Sequence, residues 1–411
     1  MRLPAAFAIY RRRLDPYLVI AGGALVLIGL LAVYSATEFP DSARAGFFAR
    51  HLVALPLAFG VMALAMAVPL RVLEDLGILL YAVTTILLVA VLLFGTEVYG
   101  ARRWLGAGPF RMQPSELAKL ATTIALAQFL AAKKRDPARW STLLPAVGMV
   151  LLPLALVLKE PDLGTSGAFA VMGIAVVLWS GLPWLHTLLM MSPLASLILC
   201  RHYVFWAAYL VVSVLALWRV RLSWLVLALF VVIQTAVMFG APVLWNHLEP
   251  YQRMRLTVFE HPERDPSGGG YQIMQSKIAI GSGGIWGKGY LKGSQKALAF
   301  LPQQHTDFIY SVVGEEAGFL GCLVTIILFL LVILRGYYLA LHCRSPFAGL
   351  LAVGIATLLL YHAGVNMAMT VGLLPVTGLP LPFVSYGGSF QLSVFAMLGL
   401  LLNISAHRFD Y

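Results

Sequence analysis

Hydrocarbon runs recur along almost the whole chain, each close to the roughly 20 residues that cross a bilayer as a helix. They fall near residues 16 to 35, 47 to 68, 74 to 95, 115 to 132, 142 to 158, 163 to 181, 307 to 334, 347 to 372 and 387 to 404. Inside lipid every backbone N–H and C=O must be satisfied within the structure, so long apolar runs without alternation select helices. With 60% hydrophobic and only 11% charged residues, the chain has too little polar surface for a water-soluble fold. It is expected to be an all-α polytopic integral membrane protein. The opening stretch MRLPAAFAIYRRRLDP is too polar for a cleavable signal, and the run from Leu18 to Val33 lacks a small-residue cleavage site, so it reads as the first span.

The region 182–245 is nearly continuous hydrocarbon, interrupted by Pro193, by Arg201 and His202, and by Arg219 and Arg221. A single helix from Trp184 to Trp218 would far exceed the roughly 20 residues a bilayer needs. Three spans fit, which brings the total to twelve. The net charge of +11, from 29 basic and 18 acidic residues, raises the question of nucleic acid, but the cations lie scattered in loops between spans. Arg11 to Arg13, Lys133 to Arg135, Arg139, Arg219, Arg221, Arg335, Arg344 and Arg408 follow one positive-inside threading that places both termini in the cytoplasm. Cys200, Cys322 and Cys343 lie in or beside apolar segments and form no CxxC, so they suggest neither zinc nor a disulfide framework.

One large polar segment, 246–305, falls outside in this threading. Within it YQIMQSKIAI carries Tyr271, Met274 and Ile278 at helical spacing, an amphipathic helix suited to the interface. The run GSGGIWGKGYLKG that follows is not a phosphate loop: Ser282 stands where the first glycine belongs, and Gly289 where the hydroxyl belongs. Its glycines are expected to permit tight turns.

Chemistry-bearing residues gather at the ends of runs on the outer side. Asp307 precedes the apolar stretch Ala317 to Leu334, so it is expected at or just inside a membrane face, where an ionisable group is costly and usually functional. The plainer reading makes Thr306 or Asp307 a helix N-cap. In ARRWLGAGPFRMQPSELAKL, Pro114 and Ser115 suit a helix start, and Glu116 and Lys119 share a face. A pair of that spacing is also what a lysine snorkelling to the interface would show. Arg102, Arg103, Arg111 and Lys119 lie where positive-inside statistics would not put them, which suggests an anionic ligand. Lys159, Glu160 and Asp162 form an outer turn, and Arg50 with His51 begins the second span.

The stretches WLGAGPFRMQPSELAK, KEPDLGTS, GGGYQIMQSKIAIGSGGIWGKGYL, LPQQHTDFIYSVVGEE and LPLPFVSYGGS resemble the shape, elongation, division and sporulation (SEDS) family, and its RodA branch more than its FtsW branch. The resemblance covers nearly the full chain, 1–411, as a single membrane domain. It implies a SEDS-type helical bundle with a core of ten spans, to which 182–245 adds an apparent two-helix insertion. It also implies a peptidoglycan glycosyltransferase that polymerises lipid II at the outer face of the bacterial plasma membrane with a class B penicillin-binding transpeptidase. By resemblance Asp307 is the catalytic residue. Arg50, Arg111, Glu116, Lys119 and Asp162 match polar cavity residues, and His305 and Thr306 adjoin them as substrate-binding positions. The transfer inverts, from an α-linked pyrophosphate to a β-linked glycan, so it needs a base on the acceptor hydroxyl and positive charge at the leaving group. A divalent cation such as magnesium or manganese is left open as a helper. A lipid II flippase and a scaffold that only recruits the transpeptidase are the competing readings. The flippase predicts charges deep in repeated halves, and the scaffold predicts a dispensable Asp307.

Overall fold

The computed structural model describes residues 14–37, 45–98, 101–106, 111–132, 136–200, 202–247, 253, 258, 265, 268–294 and 304–409. Arg11 to Arg13, Lys133 to Arg135, Arg201 and most of the loop 246–305 lie outside the described residues. Two compact units result: one comprises 1–180 and 261–411, the other 181–260.

The described residues of the first unit carry ten helices besides a two-stranded hairpin. In chain order these are α1 (Pro16–Thr37), α2 (Ala45–Ala67), α3 (Leu70–Phe94), β1 (Thr96–Val98), β2 (Ala101–Trp104), α4 (Pro114–Ala131), α5 (Trp140–Lys159) and α6 (Leu163–Trp179). The second unit contributes α7 (Trp184–Leu199), α8 (Tyr203–Arg219) and α9 (Trp224–His247). After it come α10 (Gly269–Ser282), α11 (Ile309–His342), α12 (Pro346–Thr370) and α13 (Gly388–His407). Among the described residues the twelve expected helices are therefore present, with α10 as a shorter thirteenth. Eight are long and apolar enough to cross a membrane, whereas Leu163–Trp179, Leu185–Leu199 and Tyr203–Arg219 are apolar but shorter. The remaining one, α4, carries Glu116 and Lys119 in its first two turns.

Helices α12 and α13 form the buried centre of the first unit, and α2 and α3 face outward. Side-chain amides and hydroxyls tie the helices by capturing backbone carbonyls, the economical solution where water is excluded. Asn403 on α13 donates to the carbonyls of Ala65 (3.0 Å) and Val68 (2.7 Å) at the end of α2. Ser35 on α1 donates to Glu316 on α11 at 2.5 Å. Ser276 on α10 lies 2.6 Å from both the Ser311 hydroxyl and the Thr370 carbonyl, which joins α10 to α11 and α12. At the far end of α11, Arg335 holds the Asp15 carboxylate at 2.8 Å and stacks over Tyr338 at 4.3 Å.

Helix α11 departs from the expected span. It begins at Ile309 and runs to His342, but Gly318 breaks it with φ 66 and ψ −161. The glycine run fills that break: Phe319 N donates to Gly284 O (2.9 Å), Leu320 N to Ile285 O (3.2 Å), Lys288 N to Glu315 O (3.0 Å) and Gly289 N to Glu316 O (3.0 Å). A Cβ at Gly318 would overlap the Gly287 amide nitrogen, and one at Gly287 would overlap the Glu316 carbonyl. These glycines therefore permit backbone to pack on backbone, beyond the tight turns the sequence suggests. Helix α10 forms as expected. Its buried side is Gly270, Ile273, Ser276 and Ala279, leaving Met274 and Ile278 exposed.

In the second unit Gln234 is fully buried and joins all three helices through serines. It accepts from Ser196 and donates to Ser192, each at 2.6 Å, while Trp206 donates to Ser196 (3.0 Å) and Tyr209 to the Ser192 carbonyl (3.1 Å).

Candidate active site

Asp307 lies in the turn 304–308 that leads into α11 and is partly exposed. The N-cap of α11 is Phe308, which makes no side-chain cap hydrogen bond, so the capping reading of Thr306 or Asp307 is corrected. What fixes the turn comes from α12 and the loop 371–387. The carbonyls of three consecutive residues are held: His305 O by Tyr386 N (3.0 Å), Thr306 O by Ser385 Oγ (2.6 Å) and Asp307 O by Asn366 Nδ2 (2.8 Å). Asn366 also donates to Leu379 O at 2.7 Å. Gly378 sits at φ +74, and a Cβ there would lie 3.6 Å from the Asp307 carboxylate oxygen Oδ2. Beneath the turn, Phe308 packs with Ile273 and Val376.

Helix α2 adds the second wall. The Phe47 ring stacks on His305 at 4.5 Å and meets Tyr386 at 5.4 Å, and the exposed Arg50 guanidinium lies 5.6 Å above Phe47. His51, one residue on, is buried 6.0 Å from Tyr386. The structure thus brings Arg50, His305, Thr306 and Asp307 together.

Asp162 belongs to the same end of the bundle, through Gly164, which abuts Thr377 and Leu379 on either side of Gly378. Its carboxylate caps α6, accepting from Thr165 N and Thr165 Oγ1 at 3.0 Å each, and receives Gln113 Nε2 at 3.4 Å. Arg103 clamps this turn: it donates to Glu160 O (3.0 Å) and Pro161 O and lies 3.6 Å from Asp162 Oδ2. Asp162 is consequently buried. Glu160 is buried too, and neither of its carboxylate oxygens has a hydrogen-bond partner among the described residues. Burial first, and the neighbouring Asp162 second, push its carboxyl up to about 8 against the opposing pull of Arg103. Arg111 stands exposed just after the β2 hairpin.

Glu116 and Lys119 pair as their spacing predicts, at 3.0 Å, but they do not snorkel. Lys119 is fully buried, with its ammonium 2.7 Å from His362 Nε2 and 5.7 Å from the Phe390 ring centre. Ser393 reaches across from α13 to the Glu116 carbonyl at 3.0 Å. The direct substrate contact that the resemblance implies for Glu116 and Lys119 is not offered by this arrangement, because both side chains are enclosed between α4, α12 and α13.

Sequence reasoning did not single out Asn366 or His362. Their signal is two polar side chains four residues apart, hence on one face, within an otherwise apolar span. Among the described residues no three His, Cys, Asp or Glu side chains group to hold a metal ion.

Fold and site together define a polytopic, helical membrane protein with a partly exposed carboxylate, held by its backbone, and the Arg50 guanidinium over the ring that stacks beside its turn. The chain matches the profile of the FtsW/RodA/SpoVE cell cycle proteins over residues 16–221 and 188–409, and it belongs to that family. The two matched stretches overlap between 188 and 221, inside the region read as an insertion. It is 36% identical to the peptidoglycan glycosyltransferase MrdB of Escherichia coli K12, covering 96% of this chain and 94% of that protein. To the peptidoglycan glycosyltransferase RodA of Treponema pallidum it is 34% identical, covering 96% and 98%. Among solved structures, one reported under structural coordination of polymerization and crosslinking by a peptidoglycan synthase complex superposes with a TM-score of 0.72 at 31% identity, covering 97% of this chain and 99% of that one. The Rod shape determining protein RodA of Thermus thermophilus gives a TM-score of 0.64 at 28% identity, covering 96% and 98%.

Proposed function

We propose that this chain is a peptidoglycan glycosyltransferase that polymerises lipid II into β-1,4-linked glycan strands for cell-wall elongation and rod shape. It acts with a class B penicillin-binding transpeptidase. Asp307 takes the proton from the acceptor sugar hydroxyl, whose oxygen attacks the anomeric carbon as the bond to the polyprenyl pyrophosphate breaks. Arg50 and Arg111, both exposed, meet the pyrophosphate, whose negative charge grows as that bond breaks. His305 and Thr306 line the approach to the carboxylate, while Asp162, Glu116 and Lys119 hold the walls. The observation that carries the reading is that Asp307 is partly exposed on a backbone held at three successive carbonyls.

A divalent ion such as magnesium or manganese would arrive on the pyrophosphate, as substrate. Both termini are cytoplasmic and the site faces outward. Supporting this, Arg335, Arg344 and Arg408 cluster at the end of the bundle away from Asp307, with Arg344 N donating to Arg408 O at 3.2 Å.

Purified full-length protein in complex with its transpeptidase, given labelled lipid II, tests the assignment. Asp307→Asn keeps size and folding and should abolish glycan strands. Polymerisation above a few per cent of the unsubstituted enzyme would remove Asp307 as the base.

A further inference from the structure

We propose that Asn366 and Ser385 are positioning residues, a two-point clamp that sets the Asp307 carboxylate by fixing the backbone beneath it. This rests on the reading of Asp307 as the base. The carbonyls of His305, Thr306 and Asp307 precede Phe308, the N-cap of α11, so they fall outside the regular ladder of that helix. Asn366 is fully buried and spends both amide hydrogens, one on Asp307 O at 2.8 Å and one on Leu379 O at 2.7 Å. A single side chain thereby spaces the reactive turn from the loop that carries Gly378, where a Cβ would lie 3.6 Å from the carboxylate. Ser385 works one residue upstream. Its hydroxyl donates to Thr306 O at 2.6 Å and accepts from Leu381 N at 2.8 Å, so it ties the same turn to the same loop.

The clamp touches no substrate, and its effect must appear through Asp307. Displacing a catalytic group by about 1 Å costs on the order of a hundredfold in rate. Loss of the Asn366 amide releases the Asp307 carbonyl itself. Loss of the Ser385 hydroxyl releases the carbonyl before it and leaves Asn366 in place, so its effect is smaller. Neither change alters the cations that bind pyrophosphate. The signature is therefore a fall in kcat with KM for lipid II held, which a role confined to stability does not produce.

The full chain with its transpeptidase partner, reconstituted in liposomes, is assayed with lipid II for kcat and KM per folded molecule. Asn366→Ala is expected to lower kcat about a hundredfold and Ser385→Ala about tenfold, each with KM within about twofold. Ser385→Thr, which keeps the hydroxyl, should recover most of the rate. Normal kcat in both alanine variants, a loss expressed only in KM, or no recovery in Ser385→Thr would overturn the clamp. Should Asn366→Ala fail to fold, the Ser385 pair decides the question alone. Asp307→Asn is run beside them: if it polymerises, the base assignment falls and the clamp with it, whereas an inactive Asp307→Asn with fully active clamp variants refutes the clamp alone.

Discussion

Lys119→Met separates two roles for the buried cation. The Lys119 side chain is fully buried and that of Glu116 is 4% exposed, with 3.0 Å between ammonium and carboxylate. Removing the ammonium leaves a carboxylate without its countercharge in a dry interior, a change that costs about 3–5 kcal/mol. It also strips His362 Nε2 of its 2.7 Å partner, but the two losses share one cavity and do not add. Replacing both charges is different, because pairs swapped for neutral groups are often tolerated. Lys119→Met with Glu116→Gln should therefore regain most of the lost stability. The measurements are the thermal unfolding midpoint in detergent and the polymerisation rate per folded molecule, on the same preparations. The single variant is expected to be markedly less stable, and the double variant close to the unsubstituted protein. A lysine that meets the leaving group in the transition state predicts the reverse: a stable but inactive single variant, and no rescue of rate in the double. An unfolding midpoint unchanged by Lys119→Met, or a double variant as unstable as the single, would refute the buried-pair account.

Two further outcomes follow from particular residues. The unfolded Glu160 carboxyl titrates near 4.5 and the folded one at about 8, so across that window the folded chain keeps a proton the unfolded chain releases. Stability should accordingly fall as pH rises from about 5 to about 8. Glu160→Gln, which cannot titrate, should flatten that slope, and an unchanged slope in unfolding midpoints would exclude Glu160 as its source. For orientation, cysteines introduced singly at His202 and Ser223 in a cysteine-free background should react with an impermeant reagent from outside only at position 202. Labelling at 223 from outside would overturn the three-span reading of 182–245.

Helix number and the Glu116–Lys119 pairing were legible because both depend on local properties. Run length gives spans, and the i, i+3 spacing of Glu116 and Lys119 gives their pairing whatever surrounds them. Whether that pair faces lipid headgroups or the interior depends on α12 and α13, which supply His362, Phe390 and Ser393 from more than 200 residues away. The Gly318 break was equally hidden. Ala317 to Leu334 reads as unbroken hydrocarbon, and a break there is tolerable only because the run 284–289 satisfies the backbone groups it exposes.

That break bears on how the carboxylate is held. An unbroken α11 would make the turn at 304–308 the tip of one rigid rod anchored at Arg335, and any tilt of the span would carry Asp307 with it. With the helix divided at Gly318, the segment 309–317 is instead fixed laterally: by the glycine run on Glu315 and Glu316, by Ser276 on Ser311, and by Ser35 on Glu316. Lys288 adds an ion pair to Glu315 at 2.8 Å. The position of Asp307 is then set by neighbours at its own depth, with Asn366 and Ser385 acting on the turn itself. Such an arrangement holds a reacting group to the tolerance its chemistry needs while leaving the rest of the span able to adjust to the bilayer.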